Sequence, residues 1–380
     1  VVGSIVAVSD YASTSASNNI TITPNGSEKI NAVNDDYTIS TAGLAVTLVY
    51  ADAARGWKSV TGSDADATGI VPAYITATGG NQPTSSGCIV CTNYKVHKFT
   101  GPGTFCVSAG AGPLALADYL VVAGGGGGGA NYGGGGGGGG FRESPGTASG
   151  CYTTSPRGTS PAVALTLSPQ GYPITVGGGG AAGTFPGSPY IGGTGSDSIF
   201  SSITSAGGGG GADEDLAGNA GGSGGGGSYI TEAGGAGNTP AAPVAQGMDG
   251  GAGGPGSPNF TSGGGGGATE TGVAGAVPGN TSSARGGAGA DTSISASPVD
   301  YSGGGGGGGG DSSGAGGAAS PCGTGGAGGP QSPSTAGTAG TINKGGGGGG
   351  ATSFPGAPSG SGGGGGLGGS GVVWIRYKFQ

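Results

Sequence analysis

Thiols, imidazoles and paired acids carry most protein chemistry, and this chain offers few of them at useful spacing. Cys88-Ile-Val-Cys91 is its one motif-like pair. A zinc site there would need a second pair or histidines, and the chain has a single His, His97. Thiol–disulfide chemistry would want a helix after the first cysteine to favour the thiolate. Instead, Thr92-Asn-Tyr-Lys-Val-His-Lys-Phe99 reads as a strand. Cys106, Cys151 and Cys322 bring the total to 5 without regular spacing, sparser than a disulfide scaffold. The cysteines are read as structural or incidental.

The other candidates are no stronger. A nucleophile triad would have to use His97, and the strand-like segment carrying it has no nucleophile elbow. Asp213-Glu214-Asp215 lacks the regular oxygen spacing of a cation loop and reads as a solvated charged turn. Gly-x-Gly-x-x-Gly occurs repeatedly, but no helix follows to make it a dinucleotide fingerprint. Paired carboxylates for glycoside hydrolysis would lack a scaffold holding them at fixed separation. The expectation is a non-enzyme with no catalytic residue, no metal and no cofactor.

The elements that would position any site are unusual. Of 380 residues, 106 are Gly and 23 Pro, yet no Gly-X-Y period is present, which excludes collagen. Disordered chains are rich in charge and poor in apolar residues. Here charged residues are only 8%, so order is expected. The formal net charge is −8, and between Gly124 and Gly371 four basic residues (Arg142, Arg157, Arg285, Lys344) face eleven acidic ones. So few cations form no groove for phosphate, and nucleic acid is not an expected partner. No run approaches the ~18 apolar residues of a membrane span, and no signal peptide is visible. The chain opens on Val1 rather than Met and is expected to be a processed or partial product.

Three parts are expected. Residues 1–80 hold short strands with period-two alternation: Asn19–Thr23, Tyr37–Ser40, Ala45–Tyr50 and Gly56–Lys58, with a turn at Pro24–Ser27. Residues 81–123 form a β base. In it Tyr94–Phe99 leads through Thr100-Gly-Pro-Gly103 to a returning strand at Thr104–Val107, and Asp118–Ala123 follows. The base is completed by 371–380, where Gly371–Phe379 is the natural partner of Asp118–Ala123. Residues 124–370 form a glycine-rich insertion, with runs of four or more Gly starting at 124, 133, 177, 207, 224, 263, 303, 345 and 362. Proline-, serine- and threonine-rich connections separate them, often with one aromatic. The fold class is an all-β base with an insertion of packed glycine helices and essentially no α-helix.

Glycine buries no side chain and costs the most backbone entropy to order. Order must therefore come from backbone hydrogen bonds and close packing. An extended threefold helix rises about 3.1 Å per residue without internal hydrogen bonds, leaving every N–H and C=O for neighbours. Rods lacking Cβ on all faces can pack on all faces, which explains why the long runs are pure. Runs interrupted by alanine, such as Gly234-Gly-Ala-Gly237 and Gly325-Gly-Ala-Gly-Gly329, suit an outer layer. Ala130-Asn-Tyr132 is expected to turn the chain between two antiparallel rods, Gly124–Gly129 and Gly133–Gly140.

Three separated segments match a known family in order: Tyr94-Lys-Val-His-Lys-Phe-Thr-Gly-Pro-Gly-Thr-Phe105, Asp118-Tyr-Leu-Val-Val-Ala followed by six Gly, and Gly371-Val-Val-Trp-Ile-Arg-Tyr377. The chain resembles the glycine-rich domain of tailed-bacteriophage tail-fibre proteins, frequent in marine and cyanobacterial phages. It is also similar to adhesins tipped with stacked polyglycine-II helices. The resemblance implies a virion tail fibre acting outside the host cell, a homotrimer, other virion tail proteins as partners, and a host-surface glycan or outer-membrane protein as receptor. Variable loops between rods would bind it. Loop aromatics supply contact area and stack on sugar rings. The candidates are Tyr132, Phe141, Tyr152, Phe185, Tyr190, Phe200, Tyr229, Phe260, Tyr301 and Phe354, each of which has a plainer reading as a plug at the lattice edge. An alternative is a purely structural appendage or filament subunit in which Val1–Val8 or an exposed strand edge joins neighbouring copies. An ice-binding bundle is disfavoured by the irregular loops.

Overall fold

The computed structural model describes residues 1–60, 73–81, 84–150, 152–185, 189–255, 260–275, 284–310, 315–330, 334–352 and 363–380. It is all-β, and the helical content of the described residues is one 3-10 turn, Gly112–Leu114. Two compact units separate: residues 1–74 with 109–115, and the remainder.

In the first unit, β1 (Ile5–Ser9), β4 (Ala45–Asp52) and β5 (Gly56–Ser59) form an antiparallel sheet in the order β1-β4-β5, while β2 (Ile20–Ile22) pairs with β3 (Tyr37–Ile39). The alternation read from the sequence puts Ile39, Val46 and Leu48 inside with Ile30 and Tyr37. Asp10 pins the loops around them. Its carboxylate accepts from the amides of Thr14 (3.2 Å), Ser15 (2.9 Å) and Gly43 (3.0 Å), which hold its pKa well below the usual carboxylate range.

The second unit opens with β6 (Ala73–Thr78), β7 (Cys88–Val90), β8 (Tyr94–Phe99), β9 (Gly103–Ala111) and β10 (Leu116–Val122). Within the glycine-rich stretch lie β11 (Phe141–Glu143), β12 (Leu165–Thr166), β13 (Gly171–Thr175), β14 (Ser198–Phe200), β15 (Ile203–Ser205), β16 (Ala290–Thr292) and β17 (Val299–Tyr301), and β18 (Val372–Lys378) closes the unit. One sheet runs β11-β10-β18-β8-β7 with β12 beside β10, and a second runs β15-β14-β13-β9-β6. As expected, β10 and β18 are antiparallel partners, with Leu120 opposite Trp374 and Val122 opposite Val372. The two ends of the insertion therefore leave the base side by side.

The structure differs from the sequence reading in two places. β9 is not the hairpin partner of β8. The Thr100–Gly103 turn carries the chain from one sheet to the other, and the two sheets pack face to face through rings. His97 meets Phe105 edge-on at 5.1 Å, and Tyr377 meets Phe105 at 6.0 Å. Also, β11–β15 come from within the insertion, so the base borrows five strands from the region expected to be rods and loops.

The lattice itself has a three-residue repeat. The amides of Gly124 and Gly127 donate to Ser196 and Gly193, those of Gly125 and Gly128 to Gly369 and Gly366, and those of Gly126 and Gly129 to Gly137 and Gly134, all at 2.8–3.0 Å. Partner numbers fall by three as donor numbers rise by three, so these three neighbours are antiparallel. The carbonyls of the same rod accept from Gly208 and Gly211, Gly180 and Gly183, and Gly348 and Ala351, three parallel neighbours. One rod thus bonds to six others, and each backbone amide and carbonyl from Gly124 to Gly129 has a partner, as buried polar groups require. None of the glycines from 124 to 140 has a positive φ, consistent with the left-handed threefold helix.

Rods need not be pure glycine where a face meets solvent. In Thr335-Ala-Gly-Thr-Ala-Gly-Thr341, Gly340 is buried and Gly337 half-buried, while Thr335, Ala336, Thr338 and Ala339 are exposed. The amides of Gly337 and Gly340 donate to Gly364 and Leu367. Ala236 in the alanine-interrupted run at 234–237 is likewise exposed.

Candidate functional site

Because each rod runs straight between two turns, the lattice has two ends. One is the β base. At the other, Gly129 donates to Gly134, Gly183 to Gly128, Ala351 to Gly129, and Gly254 to Thr261, so the turns after these rods gather there. Ala130–Tyr132 is among them, and Gly124–Gly129 and Gly133–Gly140 run antiparallel as expected. Among the described residues, four places at this end use positive-φ backbone in residues other than glycine: Asn131 (φ 53°) and Tyr132 (φ 59°), Asp215 (φ 60°), Ile230 (φ 64°) with Thr231 (φ 62°), and Phe260 (φ 34°). Such conformations cost energy and persist where surrounding contacts fix them.

Those contacts are aromatic and acidic. Tyr132 lies 4.8 Å from Tyr229 and 5.6 Å from Phe260, and Tyr229 lies 5.3 Å from Phe260, centroid to centroid. The Tyr229 hydroxyl donates to Glu214 Oε1 (2.9 Å) and Asn131 Nδ2 donates to Glu214 Oε2 (2.5 Å). Burial, with the Glu214 carboxylate next to it, pushes the Tyr229 phenol well above its usual range. Burial and the neighbouring Glu214 and Asp215 charges raise the Asp213 carboxyl. Ser262 Oγ donates to the Tyr132 carbonyl at 2.7 Å and ties the first turn to the adjoining rod. Beside this cluster, Leu216 and Ile230 are each 48% exposed. Phe185 and Tyr190 form a second ring pair at 5.6 Å, and the Tyr190 carbonyl accepts from Ala130.

The architecture and the motif frame that bracket this lattice have a counterpart among known families: a family model for a glycine-rich domain matches residues 99–378. This chain belongs to that glycine-rich family. The matched span runs from the end of β8 to the end of β18, taking in the lattice and most of the base beneath it. No curated protein matches the chain.

Within this glycine-rich domain the ten expected contact aromatics divide by end. Tyr132, Tyr229, Phe260, Phe185 and Tyr190 are at the turn end, where Tyr132 and Tyr229 are buried beneath it and Phe260, Phe185 and Tyr190 reach the surface. Phe141, Phe200 and Tyr301 are corrected: they are 1%, 0% and 3% exposed in the β base and have no surface for a receptor. They are there because the chain segments around them became strands β11, β14 and β17 instead of loops. Tyr152 is half-buried, with the Arg376 guanidinium 4.9 Å from its ring centroid. Phe354 lies outside the described residues. Glu214 and Asp215 are exposed, in keeping with the solvated charged turn expected from the sequence, but the contact of Glu214 with Asn131 has no sequence signal. Glu214 meets Asn131 across 83 positions, a distance at which no local spacing signals contact.

The base holds the other concentration of titratable groups. Asp118, fully buried, accepts from Ser144 Oγ (2.8 Å) and from the Ser149 amide (2.7 Å) and hydroxyl (2.6 Å). Glu143 accepts from the Ser155 amide (2.8 Å) and the Thr292 hydroxyl, and burial raises its pKa to about 6. His97 accepts or donates at both ring nitrogens, to the Gly79 carbonyl (2.7 Å) and the Tyr377 hydroxyl (3.0 Å), and burial lowers its pKa. These networks fasten the loops of the base to its strands.

Proposed function

We propose that this chain is the host-recognition part of a bacteriophage tail fibre and contacts its receptor with the turn end of the lattice. The observation that carries the reading is the surface that Phe185, Tyr190 and Phe260 make at one end with exposed Leu216 and Ile230, on a floor that includes the buried rings of Tyr132 and Tyr229. Rod-to-rod bonding is mainly between backbone groups, so these turns can change with little effect on the floor beneath them. Ring faces and exposed apolar side chains suit the face of a sugar or an outer-membrane protein loop. Three adjacent acids, Asp213–Asp215, disfavour a phosphate-rich surface. The reading requires no catalytic step and places the protein in the virion, outside the host cell. Phage carrying Tyr190→Ser, Leu216→Ser and Ile230→Ser together should assemble normally and adsorb at least about tenfold less well. Assembled particles with parental adsorption would sink the idea.

One observation favours a structural reading of the first unit. The edge strand β1 exposes Ile5 (67%) and Val6 (45%), and Val1 and Val2 before it are 101% and 69% exposed. It carries no charge or proline to block pairing. We read it as the contact between copies of this chain, in a homotrimer or a repeating appendage joined to other tail proteins. Val6→Lys should convert the assembly to monomer in sedimentation; an unchanged mass would refute this contact.

A further inference from the structure

Two of the four basic side chains between Gly124 and Gly371 line a single cavity. It measures about 140 Å³ and lies in the base, bounded by β11, the 157–165 segment, β15 and Pro243–Val244. Arg142 Nη1 donates to the Thr204 carbonyl (3.3 Å) and Arg157 Nε to the Ala268 carbonyl (2.8 Å). Each guanidinium is thereby oriented with donors left over, and neither pairs with a carboxylate among the described residues. Arg285, by contrast, sits 2.6 Å from Glu270. Burial lowers the pKa of Arg157, the mark of a cation held partly out of water without a counter-charge. Glu143 lines the same cavity, but its two oxygens are taken by the Ser155 amide and the Thr292 hydroxyl. Much of the remaining wall is apolar, with Val163, Leu165, Ile203 and Val244.

We infer that this cavity binds a small organic carboxylate, whose anionic group is taken by Arg142 and Arg157 and whose carbon body lies against Val163, Leu165 and Ile203. Guanidinium is the side chain best shaped for a carboxylate, and two of them in an acidic protein select for an anion. A cavity of about 150 Å³ accommodates one benzene ring, which limits the occupant to a single ring or a short branched chain. This site lies in the base, away from the turn end, and stands or falls separately from receptor recognition there. The carboxylate can come from a free acid, a peptide end or a sugar acid, all sharing this chemistry.

The test is calorimetric titration of the full chain at low salt and neutral pH with benzoate and with its neutral counterpart benzamide. Benzoate should bind at least about tenfold more tightly, since hydrogen bonds between charged groups are stronger than those to a neutral amide. Arg157→Gln should remove that preference. Val163→Asp, at a rim position already 65% exposed and so tolerant of change, should weaken benzoate about tenfold with the fold intact. N-acetyl-leucine binding above glucuronate would assign a peptide end as the source, and the reverse order a sugar acid. Equal affinity for benzoate and benzamide, or no saturable benzoate binding, overturns the assignment.

Discussion

The β base and the glycine lattice share one chain and are held by opposite means. In the base, side chains do the packing: Phe105, Phe200, Tyr172 and Tyr377 interlock between two sheets, and the backbone follows. In the lattice, the backbone does the packing and a side chain is an obstruction. A Cβ built on Gly136 would lie 2.7 Å from the Gly126 carbonyl carbon and overlap its oxygen. The usual logic of substitution is therefore inverted between the two regions. In the base the harmful change removes atoms; in the lattice it adds them.

The largest expected effect tests the lattice side of that contrast. Gly136 donates to Gly348 and accepts from Gly305, so its rod is fixed by neighbours on other sides and cannot shift to admit a methyl group. Gly136→Ala should cost about 4 kcal/mol, beyond the usual range for an overpacked core. Chemical denaturation should show the loss, and a variant as stable as the parent would mean that the rods are not closely packed. The counterpart in the base is Phe105→Ala. Phe105 is fully buried against His97, Phe200 and Tyr377, and its loss should cost about 3 kcal/mol through the cavity left behind.

The same contrast explains what was legible in the sequence. The frame was readable because β10 and β18 are continuous apolar strands, and the pure runs were readable because every face of an inner rod must lack Cβ. Edge rods were missed. Thr335–Thr341 and Ile191–Ser196 look like connections, yet they are rods with side chains on the solvent face. The signal was present as a three-residue period, Thr-Ala-Gly twice, but it is weaker than a run. The strands inside the insertion were hidden because β11 and β14 are three residues each, too short for a periodic pattern. At the turn end, aromatic identity was readable, whereas the grouping of Tyr132, Tyr229 and Phe260 depends on rods that bring together residues far apart in the sequence.

A smaller effect separates the two regions by pH. Glu143 belongs to the base, and burial raises its carboxyl from 4.5 to about 6. Folding therefore favours the protonated acid. The stability it confers is complete below about pH 4.5 and is lost as pH rises through about 6. A shift of that size corresponds to about 2 kcal/mol. Glu143→Gln should flatten the stability profile in this window. The lattice glycines carry no titrating side chain, so a parental profile surviving in Glu143→Gln would point to another raised carboxyl, such as Asp213 at the turn end, because His97 has the opposite sign. Its pKa is lowered by burial, so its contribution is lost as pH falls.

The smallest effect is the most discriminating, because it repeats the first substitution with a different neighbourhood. Gly178 belongs to the Gly177–Gly180 run, its carbonyl accepts from Ser196, and its φ is not positive. It is exposed, and a Cβ placed on it would meet nothing within 4 Å. Alanine there keeps the hydrogen bond and restricts the unfolded chain, so Gly178→Ala should stabilise the protein by roughly 0.5 kcal/mol. A rise in thermal midpoint beside the large fall in Gly136→Ala would show that glycine is required for the approach of neighbouring rods. If both variants fell together, glycine would be needed for the rod conformation itself, and the lattice would owe its sequence to backbone freedom and not to the absence of Cβ.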